Sequence, residues 1–290
     1  MIEPNPSGTA PAPAANGPGE TPTSVVRVRG GTVSNSDDWL AVERPLEIQA
    51  RVDGQLQSIS TTMRTPGDDR ALAAGFLYGE RVIENARQIR ALESLDDDTV
   101  VIELDAAGSA ALAAVLRPFV TTGACGVCGR RSLDGVLSIP RRAAGARALP
   151  HAIIRALPEA LRAAQAAFAR TGGLHAAGLF TAEGARVAVF EDVGRHNAVD
   201  KLVGARLLEG RLPDADGVLV VSGRASFELA QKAAVAGFGT MIAVGAPSSL
   251  AVDVARQAGM TLIGFARADG FNIYSGAEHV AGDGDGHPEG

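Results

Sequence analysis

The sequence predicts an α/β protein in two unlike parts: a smaller N-terminal β-rich α+β part and a C-terminal α/β part. Three observations carry that reading. Residues 45–52 alternate Leu46, Ile48, Ala50 and Val52 with Glu47, Gln49 and Arg51, the pattern of a strand with one buried face. Beyond residue 159, short apolar strands take turns with helical segments, the rhythm of a parallel-type sheet buried on both faces. The chain has 290 residues with 46% hydrophobic content, enough for one large domain or two moderate ones.

In the N-terminal part, Asp53-Gly54 is a hairpin turn and residues 56–63 form the returning strand. The stretch 65–69 breaks the sheet and supplies an N-cap for a helix with Leu72, Phe76 and Leu77 inward, ending near Gly79. Residues 99–104 read as a strand and 109–116 as a short Ala-rich helix. In the C-terminal part, helices are expected over 159–170 (closed by Gly172-Gly173), 195–208, 225–236 and 248–257. Strands are expected over 185–191, 217–221, 240–244 and 261–265. Ligands of such sheets bind beyond the carboxyl ends of the strands. Those ends are 222–224, 245–248 and 265–267. Residues 1–23 and 281–290 are rich in Pro, Ala, Gly or Asp and are expected to be disordered. The organised parts are then 24–120 and 132–280, joined by a Gly-rich loop, 121–131, expected to be mobile.

Aromatic residues make up only 4%, so the core rests on Ala, Val, Leu and Ile. A net charge of -6 argues against nucleic-acid or anionic-membrane binding by bulk charge. The only lysines are Lys201 and Lys232; the preference for Arg reads as compositional bias, so arginines count where a motif places them. Residues 1–24 lack the basic and apolar regions of a signal peptide, and no stretch approaches the roughly 18 apolar residues of a membrane helix. A cytoplasmic protein is expected. Thiols stay reduced there, so the two cysteines read as redox, metal or sulfur chemistry rather than a structural disulfide.

Cys125 and Cys128 lie three apart between glycines, followed by Arg130 and Arg131, which would favour the nucleophilic thiolate. A zinc site needs about four ligands. The pair supplies half, and the histidines at 151, 175, 196 and 279 are the candidates to complete it. Zinc deaminases carry H-x-E followed by P-C-x-x-C; here Gly123-Ala124 precedes the pair and no H-x-E lies upstream. No protein-ligated metal is expected.

His175 stands in a run of small residues, 171–178, whose Gly pair suggests close backbone approach. Residues 191–201 are denser in polar groups and straddle a strand-to-helix junction. His196 and Asp200 share a helix face, so Asp200 is placed to fix the His196 tautomer. Asp192 is a candidate cap, and Arg195 and Lys201 are candidates to face an anion. Ser222 and Arg224 in one loop, and Ser248 in another, precede helices whose free N–H groups suit phosphate, although capping alone also explains the serines.

Taken together, these clusters resemble the formate dehydrogenase accessory sulfurtransferases of the FdhD type. The matching motifs are 43–48 (ERPLEI), 62–76 (TMRTPGDDRALAAGF), 122–129 (TGACGVCG), 171–176 (TGGLHA) and 191–201 (EDVGRHNAVDK). They continue with 222–224 (SGR), 246–251 (APSSLA), 262–267 (LIGFAR) and Ile273-Tyr274. The resemblance implies a three-layer α/β/α architecture with a cytidine-deaminase-like mixed sheet. It implies a sulfur carrier that accepts sulfur from a cysteine desulfurase as a persulfide. The acceptor is the molybdenum (or tungsten) bis-guanine-dinucleotide cofactor, before that cofactor enters formate dehydrogenase. Members are typically homodimers. Cys125 matches the persulfide-bearing cysteine and Cys128 its partner. Phe265, Ala266, Arg267, Ala268, Asp269 and Gly270 match the segment for the guanine dinucleotide. His175, Arg195, His196, Ser222, Arg224 and Ser248 are expected to line the cofactor pocket. The family's stretch after the Phe is more basic; here Arg267 is its one basic residue and Asp269 opposes a phosphate. A non-catalytic chaperone for the same cofactor is the alternative reading.

Overall fold

A computed structural model describes residues 19–52, 54–116 and 147–282. The cysteine segment 121–131, with Cys125 and Cys128, lies outside the described residues, as do 1–18 and 283–290.

The chain opens on a two-stranded hairpin, β1 (Glu20–Arg29) and β2 (Thr32–Ala41). Its turn is Gly30-Gly31 with φ of 54° and 83°, the double left-handed conformation that suits the twist of a two-residue hairpin and that glycine adopts without strain. Residues 20–23, expected in a disordered tail, are therefore strand. The Pro-rich composition hides a segment ordered by its partner strand, and Pro22 is tolerated on an outer edge.

A four-stranded sheet follows in the order β4-β3-β6-β5, formed by β3 (Arg44–Val52), β4 (Gln55–Arg64), β5 (Ile89–Asp96) and β6 (Thr99–Leu104). The alternation in β3 does what it predicts: Leu46, Ile48 and Ala50 are buried. Helix α1 (Asp69–Gly79) covers this face with Leu72 and Leu77. The expected N-cap is absent: Asp68 is left-handed and its side chain makes no capping bond. Asp69 instead grips Arg64, accepting at 2.9 Å from both Nε and Nη2 of a fully buried guanidinium. Helix α2 (Ala106–Leu116) starts three residues before the expected position.

In the C-terminal part the single helix expected over 159–170 is two. The first, α3 (His151–Ala163), carries Pro158 inside it; the second is α4 (Ala166–Thr171). The Glu191 carboxylate accepts from the backbone N–H groups of Ala167 and Phe168 at 3.0 and 2.7 Å, which fixes the start of α4. The central sheet has six strands in the order β13-β12-β11-β10-β8-β9. These are β8 (His175–Phe180), β9 (Arg186–Asp192), β10 (Val218–Val221), β11 (Thr240–Ala243), β12 (Thr261–Arg267) and β13 (Gly270–Ser275). Strands β10, β11 and β12 run parallel as expected, while β8 and β13 are antiparallel to their neighbours, so the sheet is mixed. A short parallel pair, β7 (Leu149–Pro150) with β14 (Val280–Ala281), ties the two ends of this part, and it places Ala281 in a strand rather than in a tail.

Residues of the sheet alternate between its two faces. Ala176, Phe180, Val220, Ile242 and Ile263 meet Ile154, Leu157 and Leu161 of α3 on one side. Ala177, Leu179, Leu219, Met241 and Leu262 face the other side, covered by α5 (Arg195–Leu208), α6 (Phe227–Ala236) and α7 (Ser249–Ala258). This gives three layers, α/β/α. The core on the α5 side runs without a break into the N-terminal sheet through α1. Helices α1 and α5 touch backbone to backbone: a Cβ added at Gly75 would lie 1.9 Å from Asp200 O, and one at Gly204 1.8 Å from Ala71 O. Only glycine fits either position. Among the described residues, no helix is long and apolar enough to cross a membrane.

Candidate functional site

Five segments separated in sequence meet at the carboxyl edge of the parallel strands. His175 opens β8 and pairs across the sheet with Asp192, the last residue of β9. The α5 helix then begins with Arg195 and His196. The loop 222–224 leaves β10, the loop 245–248 leaves β11, and 265–270 form the tip of β12 and its turn into β13. Backbone bonds bind these loops to one another: Gly245 N–H donates to Gly223 O at 2.9 Å, Ser248 N–H to Ala225 O at 2.9 Å, and Phe265 N–H to Gly245 O at 3.1 Å. Glycine is required at the crossings. A Cβ at Gly245 would stand 2.9 Å from Arg224 Cγ, and one at Gly264 2.8 Å from Pro247 Cδ.

His175, Gly223 and Arg195 form the centre of this edge. A Cβ at Gly223 would lie 3.5 Å from His175 Nδ1 and 3.9 Å from Arg195 Cδ. Burial, and then the Arg195 charge, hold the His175 imidazole below its ordinary pKa, so it is neutral near pH 7. The Arg195 Nε is buried and has no hydrogen-bond partner among the described residues. Such a group costs about 1–3 kcal/mol unless something binds it, so it marks a place for an acceptor. His196 is also held below its ordinary pKa, first by burial and then by Arg195, with Glu228 opposing. A cleft of about 540 Å³ opens beside this centre. It is lined by His175 and Ser222 from the edge, and by Arg162, Phe168, Gly172 and Gly173 from the α3–α4 side.

Phe265 is a bulky residue in the left-handed region, φ 53°, at an irregularity in β12. The residue is 41% exposed. A strained backbone that presents an aromatic ring to solvent is a feature found at ligand sites. Arg267, Ala268 and Asp269 are exposed around the following turn.

The expected site residues do not all serve a ligand. Ala266 is fully buried against the α3 layer, so its side chain cannot touch cargo. The Ser248 hydroxyl caps α7, accepting from Ala251 N–H at 3.2 Å. Ser222 Oγ accepts from Ala176 N–H at 2.9 Å and so locks β8 to β10. Arg224 is exposed at the rim.

Within 191–201 three expectations are corrected. Asp192 does not cap with a free carboxylate; it is a fully buried hub that accepts from Gly194 N–H, Asn197 Nδ2, Thr65 N–H and Lys201 Nζ. Lys201 faces no anion from solvent. It is 2% exposed and also donates to Thr65 O and Glu191 O. Asp200 does not touch His196; it pairs with Lys232 at 2.6 Å in the core. The partner of His196 is Glu228, 3.0 Å away. Glu228 and Arg162 are site residues that the sequence reading missed, while Ser226 closes the 222–226 loop that it read as a phosphate site or a cap. The start of α6 at the edge was the available signal for Glu228, in its first turn.

A family model described as the FdhD/NarQ family matches residues 41–281. A sulfur carrier protein FdhD of Streptomyces avermitilis is 48% identical over 89% of this chain and 94% of its own length. One of Sulfurisphaera tokodaii is 40% identical over 88% of this chain and 97% of its own. Among solved structures, a formate dehydrogenase accessory protein from Desulfotalea psychrophila aligns with a TM-score of 0.73 and 25% identity, over 91% of this chain and all of that one.

Proposed function

The chain belongs to the FdhD/NarQ family, and on that premise we propose that it is a sulfur carrier serving formate dehydrogenase. Cys125 accepts sulfur from a cysteine desulfurase as a persulfide, with Cys128 as its partner. The sulfur then passes to the molybdenum bis(molybdopterin guanine dinucleotide) cofactor, the cargo, before that cofactor enters formate dehydrogenase. The working form is a cytoplasmic homodimer.

One observation of the fold supports this reading above the others. The residues that the family resemblance assigns to the cargo come from five segments, and those segments converge on one sheet edge with a half-buried arginine at its centre, whose buried Nε has no partner among the described residues. A carrier needs such a receiving surface for an anionic nucleotide-bearing group. Arg195, Arg267 and Arg224 supply cationic character, and the exposed Phe265 ring supplies a face for a base to stack on.

The test is mass spectrometry after incubation with cysteine and a desulfurase. An adduct of about 32 Da is expected on the wild type and not on Cys125→Ala. Its persistence on that variant contradicts the assignment. Formate dehydrogenase activity restored in cells by the Cys125→Ala/Cys128→Ala double variant would instead support a non-catalytic cofactor chaperone.

A further inference from the structure

The cleft beside the carboxyl edge, about 540 Å³, falls in the range of small-molecule sites, roughly 300–1,000 Å³. One wall is His175 and Ser222 of the edge, and the other is the corner between α3 and α4. On that corner the Arg162 guanidinium lies over the Phe168 ring, 3.7 Å from the ring centroid. Stacking of this kind holds a planar cation flat. Phe168 is itself fixed, because its backbone N–H and that of Ala167 donate to the Glu191 carboxylate at 2.7 and 3.0 Å. Glu191 thus occupies the start of α4, and no anion from outside is needed there. Glu159 stands three residues before Arg162 on α3 and shares its helix face. Both line the cleft and both are exposed. Among the described residues, neither has an ion-pair partner.

We propose that this cleft is a subsite for a pterin ring of the cargo, stacked on Arg162 and donating from its amino edge to Glu159. The proposal rests on the cargo reading above and assigns a second ring system of the cargo to residues outside the guanine segment 265–270. A pterin is a planar 2-amino-4-oxo heteroaromatic. Its face suits a guanidinium already held flat by an aromatic ring. Its edge carries an amino group and a ring N–H side by side, and a carboxylate accepts from two adjacent donors through its two oxygens. Glu159 is the one acid among the described lining residues, and Arg162 the one arginine. Pro158, Leu161 and Leu174 supply apolar lining beside them.

The cleft also adjoins the cationic centre of the edge. Gly223 is flanked by His175, which lines the cleft, and by Arg195, whose buried Nε has no partner among the described residues. A donor without an acceptor suits the phosphate that such a ring carries. His175 stands between the two. Burial and the Arg195 charge keep it neutral, so its ring offers one donor and one acceptor and adds no second cation to the cleft.

The full-length protein is titrated with 6-carboxypterin, followed by the fluorescence of the pterin itself, and separately with guanosine diphosphate by calorimetry. Wild type is expected to bind both, and to keep the pterin when guanosine diphosphate is saturating. Arg162→Met should weaken the pterin by about tenfold and leave guanosine diphosphate unchanged. A third probe, 6-carboxylumazine, has a carbonyl in place of the 2-amino group. Wild type should prefer the pterin to it by about tenfold, and Glu159→Gln, which keeps the shape and removes the anion, should abolish that preference. An Arg162–Phe168 corner that is merely structural would move neither the pterin affinity nor the preference. Guanosine diphosphate binding without pterin binding, equal pterin affinity in wild type and Arg162→Met, or displacement of the pterin by guanosine diphosphate overturns the proposal and leaves the cargo reading standing. A loss of guanosine diphosphate in Arg162→Met would make the cleft a guanine site and overturns it too. Wild type that binds neither probe overturns the cargo reading, and this inference with it.

Discussion

The carboxyl edge of the sheet and the seam between α1 and α5 both draw on the same eleven residues, 191–201, and use them in opposite ways. On the seam, Asp192, Asn197, Asp200 and Lys201 are buried, and their polar atoms are bonded to Thr65, Met63 and Lys232 or to one another. On the edge, Arg195 and His196 are half-buried, and the Arg195 Nε has no partner among the described residues. A fully satisfied polar network holds a fold together; an unsatisfied group held open awaits a ligand. The difference teaches which half of a dense motif to read as structure and which as site.

Perturbing the seam should cost stability most. Gly75→Leu places a branched side chain where a Cβ already overlaps the α5 backbone. It is expected to abolish folded protein, as judged by circular dichroism and solubility. Lys201→Met leaves Asp192 charged, fully buried and without its cation. A loss of about 3–5 kcal/mol is expected in urea unfolding; a loss under about 1 kcal/mol would show that the seam is not an electrostatic lock.

The Asp200–Lys232 pair gives the seam a pH signature. Burial pushes the Asp200 carboxyl up to about 6, above its ordinary value of 3.8, against the pull of Lys232. A carboxyl whose pKa is raised by folding binds its proton more tightly in the native state. Its contribution to stability therefore grows as pH falls from about 6 toward 4 and is constant above that window. Wild type should gain stability relative to Asp200→Asn across that window and keep a constant difference from it at higher pH. A difference independent of pH would break the assignment.

Edge substitutions should reverse the pattern, with small stability effects and large binding effects. Arg195→Gln removes a partly buried cation with an unpaired Nε, so unfolding free energy should change by less than about 1 kcal/mol. Affinity for a guanine dinucleotide should fall about tenfold or more, measured by calorimetry. Phe265→Gly relieves the positive φ, worth about 1 kcal/mol, and loses only a half-exposed ring. Its stability should stay close to wild type while stacking is lost.

The legible elements were those whose signal is local. The alternation in β3 carries its own periodicity, and the bounds of α5 coincide with the expected 195–208. The hairpin of β1 and β2 went unread because its order comes from cross-strand pairing around Gly30-Gly31, next to a Pro-rich tail. Strand β8 is small and buried almost throughout, so it shows no alternation. The first two turns of α3 lie before the expected start at 159, because Pro158 interrupts the helical pattern inside a helix that in fact runs through it. The edge loops were found because a strand followed by Ser or Gly and then a helix is a local pattern. The partners of 191–201 were not, because Thr65 and Asp192 are 127 positions apart and a single sequence holds no record of such a pair.

Hydrogen–deuterium exchange with and without a guanine dinucleotide tests the division between edge and seam most directly. Slower exchange is expected across 222–224, 245–248 and 265–270 and at the start of α5, with the amides of α1 and the second half of α5 unchanged. Protection centred on the α1–α5 seam, or none at the edge under saturating ligand, would contradict it.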